Sequence, residues 1–572
     1  MKKTWKIDSV HPKLKTLIKE LNISKTTAQI LANRGFDVET GKKFLRASLS
    51  DLHDPFLMKH MKTIVQRINN AVKNKEKIMI YGDYDVDGMT STAILMKILK
   101  QLGLEVFYYI PNRLIEDYGL GKKGVDHAKR KNASLIITVD CGINAKKEIK
   151  YAKDKGLDVI ITDHHEIENG LPDVPFLNPK GDNYPFKSLA GAGVVLKLVQ
   201  ALMQKNNLKN FDNYIEIASV GTVTDVVPLL DENRIIVKNG LVFLEHSVNL
   251  GLDALKKVSG VKKVSSSDIG FRLGPRLNAA GRLGKSELGI DLLLTDKKDK
   301  AFELAKTLDR KNNIRQNIEK DVLEEAIHYI TNENMNEDKF IVVDKKGWHK
   351  GVIGIVASRI AEKFYRPTVV IAKDKKLGYG SGRSIDSFNL FKALTHCKKH
   401  FESFGGHEKA AGLSIKTKNI DDFRKDILNY AEDTLKPEDL IPTQNINAIV
   451  PLSEINERVI NEMEKLKPFG LGNPRPVICS TNLHAENVRV LKDKHVKTQL
   501  KDGSKKLEAI GFNMGELAPK IANNNGYLHV CYAPQFNTWN GKKSIQLNLK
   551  DVKIGKLNKK NWYDKVKEFL GT

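Results

Sequence analysis

The stretch Ile78–Thr92 (I-M-I-Y-G-D-Y-D-V-D-G-M-T-S-T) constrains the fold more than any other part of the chain. An apolar run, Ile78–Tyr81, ends in Asp83, Asp85 and Asp87 at alternate positions, and Gly88 then breaks the pattern. Met89 through Leu99 reads as an amphipathic helix beginning near Thr90 and Ser91. A buried strand, an acidic turn and a helix entry form the first half of a βαβ unit. The arrangement then recurs. Val106–Ile110, Leu135–Val139 and Val159–Thr162 are further short apolar runs, followed by Pro111-Asn112-Arg113, Asp140-Cys141-Gly142 and Asp163-His164-His165. Strands alternating with helices predict a doubly wound α/β domain from Lys77 to about Leu244. Ligands of such sheets bind beyond the carboxyl ends of the strands, so these polar residues point at one crevice. Taken alone, the three aspartates leave a solvated acidic turn as the lesser alternative. Together they repel one another unless a cation or several donors sit among them.

Charge bounds the class of partner, although alone it names no substrate. The chain has 94 basic and 69 acidic side chains, a formal net charge of +25. Such an excess suits a polyanion, nucleic acid being the common one. Lysine-rich composition serving solubility alone is the other reading. No apolar run is long enough to span a bilayer, and the lysines at the start precede no apolar signal segment. The 4 cysteines, Cys141, Cys397, Cys479 and Cys531, lack C-x-x-C spacing. They fit a reducing cytoplasm and argue against a disulfide framework or a structural zinc site.

Elsewhere the chain offers further clusters. The region before about Asn74 is helical and basic. A helix over Tyr214–Val223 ends at Asp225, an acid in an apolar setting. Gly270–Gly284 (G-F-R-L-G-P-R-L-N-A-A-G-R-L-G) has no acid, and suits either phosphate approach by backbone and guanidinium groups or a flexible basic linker. Lys298–Thr331 reads as one long polar helix or a pair. Phe340–Val343 and Pro367–Ile371, with a helix over Val352–Lys363, predict a second α/β domain. Its polar signals are Trp348–Gly351, Gly378–Arg383 and Gly405-Gly406-His407-Glu408. The glycines permit close approach to a ligand, and Ser381, Arg383 and His407 supply donors to an anion. After a linker at Lys436–Thr443, short strands at Val477–Cys479, Val488–Leu491, Thr498–Leu500, Glu508–Phe512, Tyr527–Pro534 and Ser544–Leu549, with the Asn540-Gly541 hairpin signal, predict a small β-barrel. An OB-fold suits single-stranded nucleic acid. Phe512, Tyr532, Phe536 and Trp539 could stack bases there. Trp539 is expected exposed and the others in the core.

Asp85, Asp87, Asp140, His164 and Asp225 form a carboxylate–imidazole set, with Asp83 and His165 beside it. Imidazole among carboxylates suits manganese or another transition ion, magnesium prefers oxygen alone, and zinc fits less well. The carboxylates carry enough charge for two cations bridged by Asp140, which would clamp a phosphoryl group and generate hydroxide. No Ser-His-Asp spacing, activated cysteine or G-x-x-x-x-G-K-[ST] loop competes. The residues converge on phosphodiester hydrolysis.

Asp163-His164-His165 is the triplet that names the DHH phosphoesterase superfamily, and G-D-Y-D-V-D-G resembles its first motif. Val139–Gly142 is similar to its third, and Gly405-Gly406-His407 resembles the glycine–histidine motif of its associated second domain. R-L-N-A-A-G-R and the barrel narrow the resemblance to the superfamily's bacterial single-strand-specific 5′→3′ DNA exonucleases. The resemblance implies an α/β parallel-sheet DHH domain and a smaller α/β DHH-associated domain, joined by a long helix, with a C-terminal OB-fold β-barrel. The expected division is 1–74 (N-terminal helices), 75–295 (DHH), 296–335 (connecting helix), 336–435 (DHH-associated), 444–555 (OB-fold) and 556–572 (tail). It implies Asp87, Asp140, His164 and Asp225 for the tighter metal and Asp85 with Asp140 for the second. The cations would be Mn2+ by preference, with Mg2+ as the alternative. Asp83 and His165 complete the catalytic group, His165 at the scissile phosphate or leaving oxygen. Arg113, Arg276, Asn278 and Arg282 would hold the DNA backbone, and Ser381, Arg383 and His407 the terminal phosphate. Partners implied are single-stranded DNA, a helicase and a single-strand-binding protein, with the enzyme a cytoplasmic monomer. Many members carry a longer C-terminal region for partners, whereas this chain ends shortly past its barrel strands.

Two other readings remain. A smaller DHH hydrolase for short RNA, 3′-phosphoadenosine 5′-phosphate or cyclic dinucleotides would not need Gly270–Gly284 or a barrel. A non-catalytic nucleic-acid-binding factor on a decayed DHH fold would have lost ligands, and every ligand position here is filled.

Overall fold

The four apolar runs become strands of one parallel sheet. In space its order is Glu105–Tyr109, Lys77–Tyr81, Leu135–Val139, Asp158–Thr162 and a short fifth strand, Phe176–Leu177, not expected from the sequence. Leu135–Val139 is buried throughout, as a strand covered on both faces must be. The chain reverses direction across the sheet between Lys77–Tyr81 and Leu135–Val139. That is the switch point at which open α/β sheets leave a crevice, and Asp83–Asp87 and Asp140 follow those two strands.

The structure is a computed structural model that describes residues 3–112, 116, 119–168, 170–523, 528–539 and 541–555. Arg113, Asn540 and the expected tail 556–572 lie outside the described residues. Among the described residues, no helix is long and apolar enough to cross a membrane. The chain divides into two units, one of residues 52–228 and 232–441, the other of residues 1–51, 229–231 and 442–572.

In the first unit, the helix after the acidic turn spans Val86–Gln101. It begins ahead of Thr90 and Ser91 because Asp85 is its N-cap, accepting from the Gly88 N–H at 3.0 Å. It is buried on nearly every side rather than amphipathic, with only Lys97 of its central turns reaching the surface. The helix Asp212–Thr224 ends at Asp225. Gly270–Gly284 is not a linker. It is helical, a π-turn at Ile269–Leu273 running into Gly274–Arg282. Its glycines serve close packing: a methyl on Gly274 would stand 2.3 Å from Thr224, and one on Gly281 2.4 Å from the Tyr84 carbonyl. Lys298–Asn332 is a single helix of 35 residues, about 50 Å long.

The second α/β domain follows in the same unit. Its mixed sheet runs Phe401–Gly406, Ala410–Lys416, Leu377–Arg383, Thr368–Lys373 and Ile341–Lys346, with the helix Ile353–Phe364 against it. Gly378–Arg383 and Gly405-Gly406 are therefore strand residues. Gly378, Gly380 and Gly382 face the core, where added methyl groups would meet Ile371, Leu413 and Leu390 at 2.7 Å. They admit the protein's own side chains rather than a ligand. The alternate residues Ser381 and Arg383 point to the other face.

The second unit holds the barrel. Ile478–Leu491, His495–Asp502, Lys505–Gly511, Lys542–Ile554 and Leu528–Trp539 pair in that order, and Leu528–Trp539 closes back on Ile478–Leu491. Val477–Cys479 and Val488–Leu491, expected apart, belong to one strand. Register shifts near Ser480 and Glu486, with Asn482 and Asn487 at positive φ, bend it and break its alternation. The N-terminal segment contributes a strand, Thr4–Ile7, parallel to Thr443–Ile446. Its helices Leu14–Leu21 and Lys25–Asn33 share a core with the barrel. Tyr532 is buried with its hydroxyl 2.7 Å from Ser480 Oγ, and Phe536 is half-buried beneath Lys543. Phe512, expected in the core, is instead 52% exposed: it comes after the last residue of its strand and lies outside the alternation. Trp539 ends its strand, and its side chain is outside what the structure describes.

Candidate metal centre

The carboxyl ends of the central strands bring together the acids predicted from the sequence. His164 Nε2 lies 3.2 Å from Asp140 Oδ1, 3.5 Å from Asp225 Oδ2 and 4.0 Å from Asp87 Oδ2. Two ligand groups are thereby assembled, Asp87–His164–Asp225 and Asp83–Asp85–Asp140, each with its ligand atoms within 4.8 Å of one another. Asp140 and His164 also group with His165. Asp83, Asp87, Asp140 and His164 are buried, and Asp85 and Asp225 half-buried.

Each side chain is held for a local reason. Asp140 sits at φ 60, in the left-handed region, which aspartate tolerates better than most residues. Its N–H donates to the Thr162 carbonyl at 2.9 Å. The Asp87 carboxylate accepts from the N–H groups of Gly191 (2.6 Å) and Ala192 (2.9 Å), at the start of the helix Gly191–Lys205. A helix N-terminus favours negative charge there. Val226, next to Asp225, also has φ 60, a strained value for a β-branched residue.

Asp163 has a different task. Its carboxylate accepts from the N–H groups of Ile143 (2.9 Å), His164 (2.7 Å) and His165 (3.1 Å), and lies 2.7 Å from His165 Nδ1. Burial alone would raise its pKa, yet the hydrogen bond and charge of His165 hold it below the usual carboxylate range. Burial likewise works against a charged His165, but Asp163 carries its pKa up to about 9. His164 moves the opposite way, lowered by burial and by His165, which leaves a neutral imidazole suited to metal binding.

The electrostatics point to a missing positive charge. Burial and then Asp225 push Asp87 up to about 7, and burial and then Asp85 push Asp225 up to about 7. Burial and Asp87 raise Asp140 well above its ordinary value. His164 Nε2 and Asp225 Oδ2 are buried without a hydrogen-bond partner among the described residues. Buried polar atoms in that state are costly. Divalent cations coordinated by these oxygens and this nitrogen satisfy both observations, and the mixed donor set suits manganese.

A cavity of about 720 Å³ adjoins the cluster, lined by Asp163, His165, Glu166, Asn144, Tyr81 and, from the second α/β domain, His407. His407 is exposed. Arg383 lies 3.3 Å from Ser381 Oγ. A methyl on Gly354, in the first turn of the helix Ile353–Phe364, would stand 3.0 Å from Ser381 Oγ and 3.3 Å from the Arg383 guanidinium. A hydroxyl, a guanidinium and a helix N-terminus thus meet as an anion site would require.

In the 274–282 helix the two arginines also make bonds within the protein. Arg276 pairs with Asp309 of the long helix at 2.8 Å, and Arg282 donates to the Gly351 carbonyl at 3.0 Å. Asn278 is half-buried. Sequence reasoning passed over Asp163 as an orienting group and Gly191-Ala192 as the seat of Asp87. The run Ala190-Gly191-Ala192-Gly193 opening a helix was the signal available for the latter.

Residues 77–222 match the DHH family, N-terminal domain, residues 337–433 the DHHA1 domain, and residues 446–551 the RecJ OB domain. Over 99% of its length the chain is 40% identical to the single-stranded-DNA-specific exonuclease RecJ of Bacillus subtilis, covering 73% of that protein. The chain belongs to the RecJ family. Two RecJ structures from Thermus thermophilus agree with its fold. The one in complex with Mn2+ matches at a TM-score of 0.86 and 29% identity, over 97% of this chain and 80% of that one. The one in complex with Mg2+ matches at 0.80 and 28%, over 97% and 79%. Membership of the RecJ family accounts for the cations that the cluster requires, and makes the chain a metal-dependent exonuclease.

Proposed function

We propose that this chain degrades single-stranded DNA from its 5′ end to mononucleotides, by two-metal phosphodiester hydrolysis in DNA repair and recombination. The observation that carries the reading is the pair of ligand groups around His164 and Asp140, with buried polar atoms that a cation would satisfy. Asp87, His164 and Asp225 with Asp140 would hold one cation, and Asp85 and Asp140, beside Asp83, the other. Such cations supply a Lewis acid for phosphoryl oxygens and a water of lowered pKa.

The protein's own groups do the rest. His165, fixed through Nδ1 on Asp163, whose charge raises its pKa, is placed to contact a phosphoryl or leaving oxygen through its opposite nitrogen. Ser381, Arg383 and His407 hold the terminal phosphate, and that anion grip selects the strand end. Arg113, Arg276, Asn278 and Arg282 hold the DNA backbone near the cleft. Arg276 and Arg282, engaged by Asp309 and Gly351, brace the helix that carries Asn278. A helicase that supplies unwound strand and a single-strand-binding protein are the partners this activity calls for, and the enzyme works as a cytoplasmic monomer.

The test is digestion of matched oligonucleotides labelled at the 5′ or the 3′ end, with manganese and with chelator. Immediate release of labelled mononucleotide from the 5′-labelled strand, only with metal, is the expected result. Cleavage of dinucleotides alone would overturn it in favour of a small-substrate DHH hydrolase.

A further inference from the structure

Phe271 is 83% exposed, more than any other large apolar side chain among the described residues. It sits within the π-turn Ile269–Leu273. An inserted residue of this kind rotates the succeeding helical turn, and such insertions recur at functional sites. This one packs against the end of the helix Asp212–Thr224, which leads to Asp225. A methyl on Gly270 would lie 3.9 Å from Val223, and one on Gly274 2.3 Å from Thr224, the residues leading into Asp225. Val226, just past that ligand, is itself 64% exposed. The flanking chain is basic. Arg272 donates to the Ser259 carbonyl at 2.5 Å, and the same segment continues into exposed Lys262 and Lys263. Asp268, which lies 3.6 Å from Arg272, is the acid on this turn.

An exposed ring beside cations is the arrangement that single-stranded nucleic acid uses, the base stacking while the backbone is neutralised. Resting on the exonuclease reading above, we propose that Phe271 is a base-stacking subsite for one unpaired nucleotide on the approach to the metal centre, and so a determinant of single-strand selectivity. A paired base has both faces covered by its neighbours in the duplex and leaves none for the ring.

The experiment uses the full chain and a set of single-stranded oligonucleotides, each with one abasic residue at a different position from the 5′ end. Affinity is read by fluorescence anisotropy in chelator, and cleavage separately with manganese. With the unaltered protein, one abasic position should weaken binding about tenfold. Phe271→Ala should bind the intact strand as weakly as that, and should be insensitive to the abasic residue at that position alone. Phe271→Trp should restore both. Phe302→Ala, which removes a 42% exposed ring on the long helix, should leave the pattern unchanged. Phe271→Ala with unaltered affinity, or with its sensitivity intact at every position, would overturn the proposal. The abasic pattern without metal-dependent cleavage would sink the exonuclease reading and leave the stacking subsite standing.

Discussion

Gly191→Ala is a one-methyl test of the metal centre. Gly191 opens the helix Gly191–Lys205, and its φ is not among the positive ones. Alanine suits that backbone, and a helix gains about 1 kcal/mol from the exchange where space allows. Space does not allow it here. The added methyl would stand 2.6 Å from Asp140 Oδ1 and 2.9 Å from its Cβ and Cγ. Asp140 is buried and already in the left-handed region, so its carboxylate must shift as a whole, by about 1 Å, a misplacement that costs roughly 100-fold. We expect kcat/KM on single-stranded DNA to fall about 100-fold, or about 3 kcal/mol of transition-state stabilisation. Manganese affinity by titration calorimetry should fall with it, while circular dichroism stays unchanged. Gly193→Ala is the control, since its methyl would come nearest the movable end of Leu189 at 3.0 Å, with Leu189 Cβ and Ile236 at ordinary contact distances of 3.5 and 3.8 Å. Unaltered turnover and manganese affinity in Gly191→Ala would refute the argument that Asp140 is held where the cations need it.

The same structure sets other expectations. Asp140→Ala should abolish hydrolysis but leave single-strand binding by gel shift, and normal turnover would remove Asp140 from the bridging position. The buried pair Lys197–Glu232, 2.9 Å apart and joined by the Tyr184 hydroxyl at 2.6 Å, should make Glu232→Ala unfold about 3–5 kcal/mol more easily in urea. A loss under about 1 kcal/mol would contradict that. Glu462 joins the second unit's helices, accepting from the Ser24 N–H at 2.9 Å and from Arg458 at 3.0 Å. Burial opposes its charge, yet these bonds hold its pKa below the usual value. Its contribution is therefore present above the unfolded glutamate pKa and lost as pH falls through the lowered folded one. The stability gap between the protein and Glu462→Gln should close at low pH, and a gap independent of pH would count against the assignment. Affinity for single-stranded DNA should fall steeply with salt if several phosphates are neutralised, and a flat dependence would argue against a charged path.

Much of this protein is legible along the chain. Four of the five strands of the DHH sheet are short apolar runs, and the rule that ligands gather beyond carboxyl ends places Asp83, Asp85, Asp87, Asp140 and His164 together from sequence alone. Periodicity also marks the long helix and most of the barrel, because burial on one face or both leaves its imprint residue by residue. It fails where a residue's reason lies across the fold. The glycines of Gly274–Arg282 and Leu377–Arg383 look like flexible or ligand-facing backbone. Thr224, Tyr84, Ile371, Leu413 and Leu390 are what they make room for. The break in the strand Ile478–Leu491 comes from bulges that no alternation reveals. Local pattern states which residues want burial or charge, whereas pKa, pairing and clash depend on distances between residues remote in sequence. The acids were determined by the sequence. That Asp87 rests on the helix opened by Gly191, that Asp163 serves His165 and that Arg276 serves Asp309 was decided only when the chain folded and brought those partners within hydrogen-bonding reach.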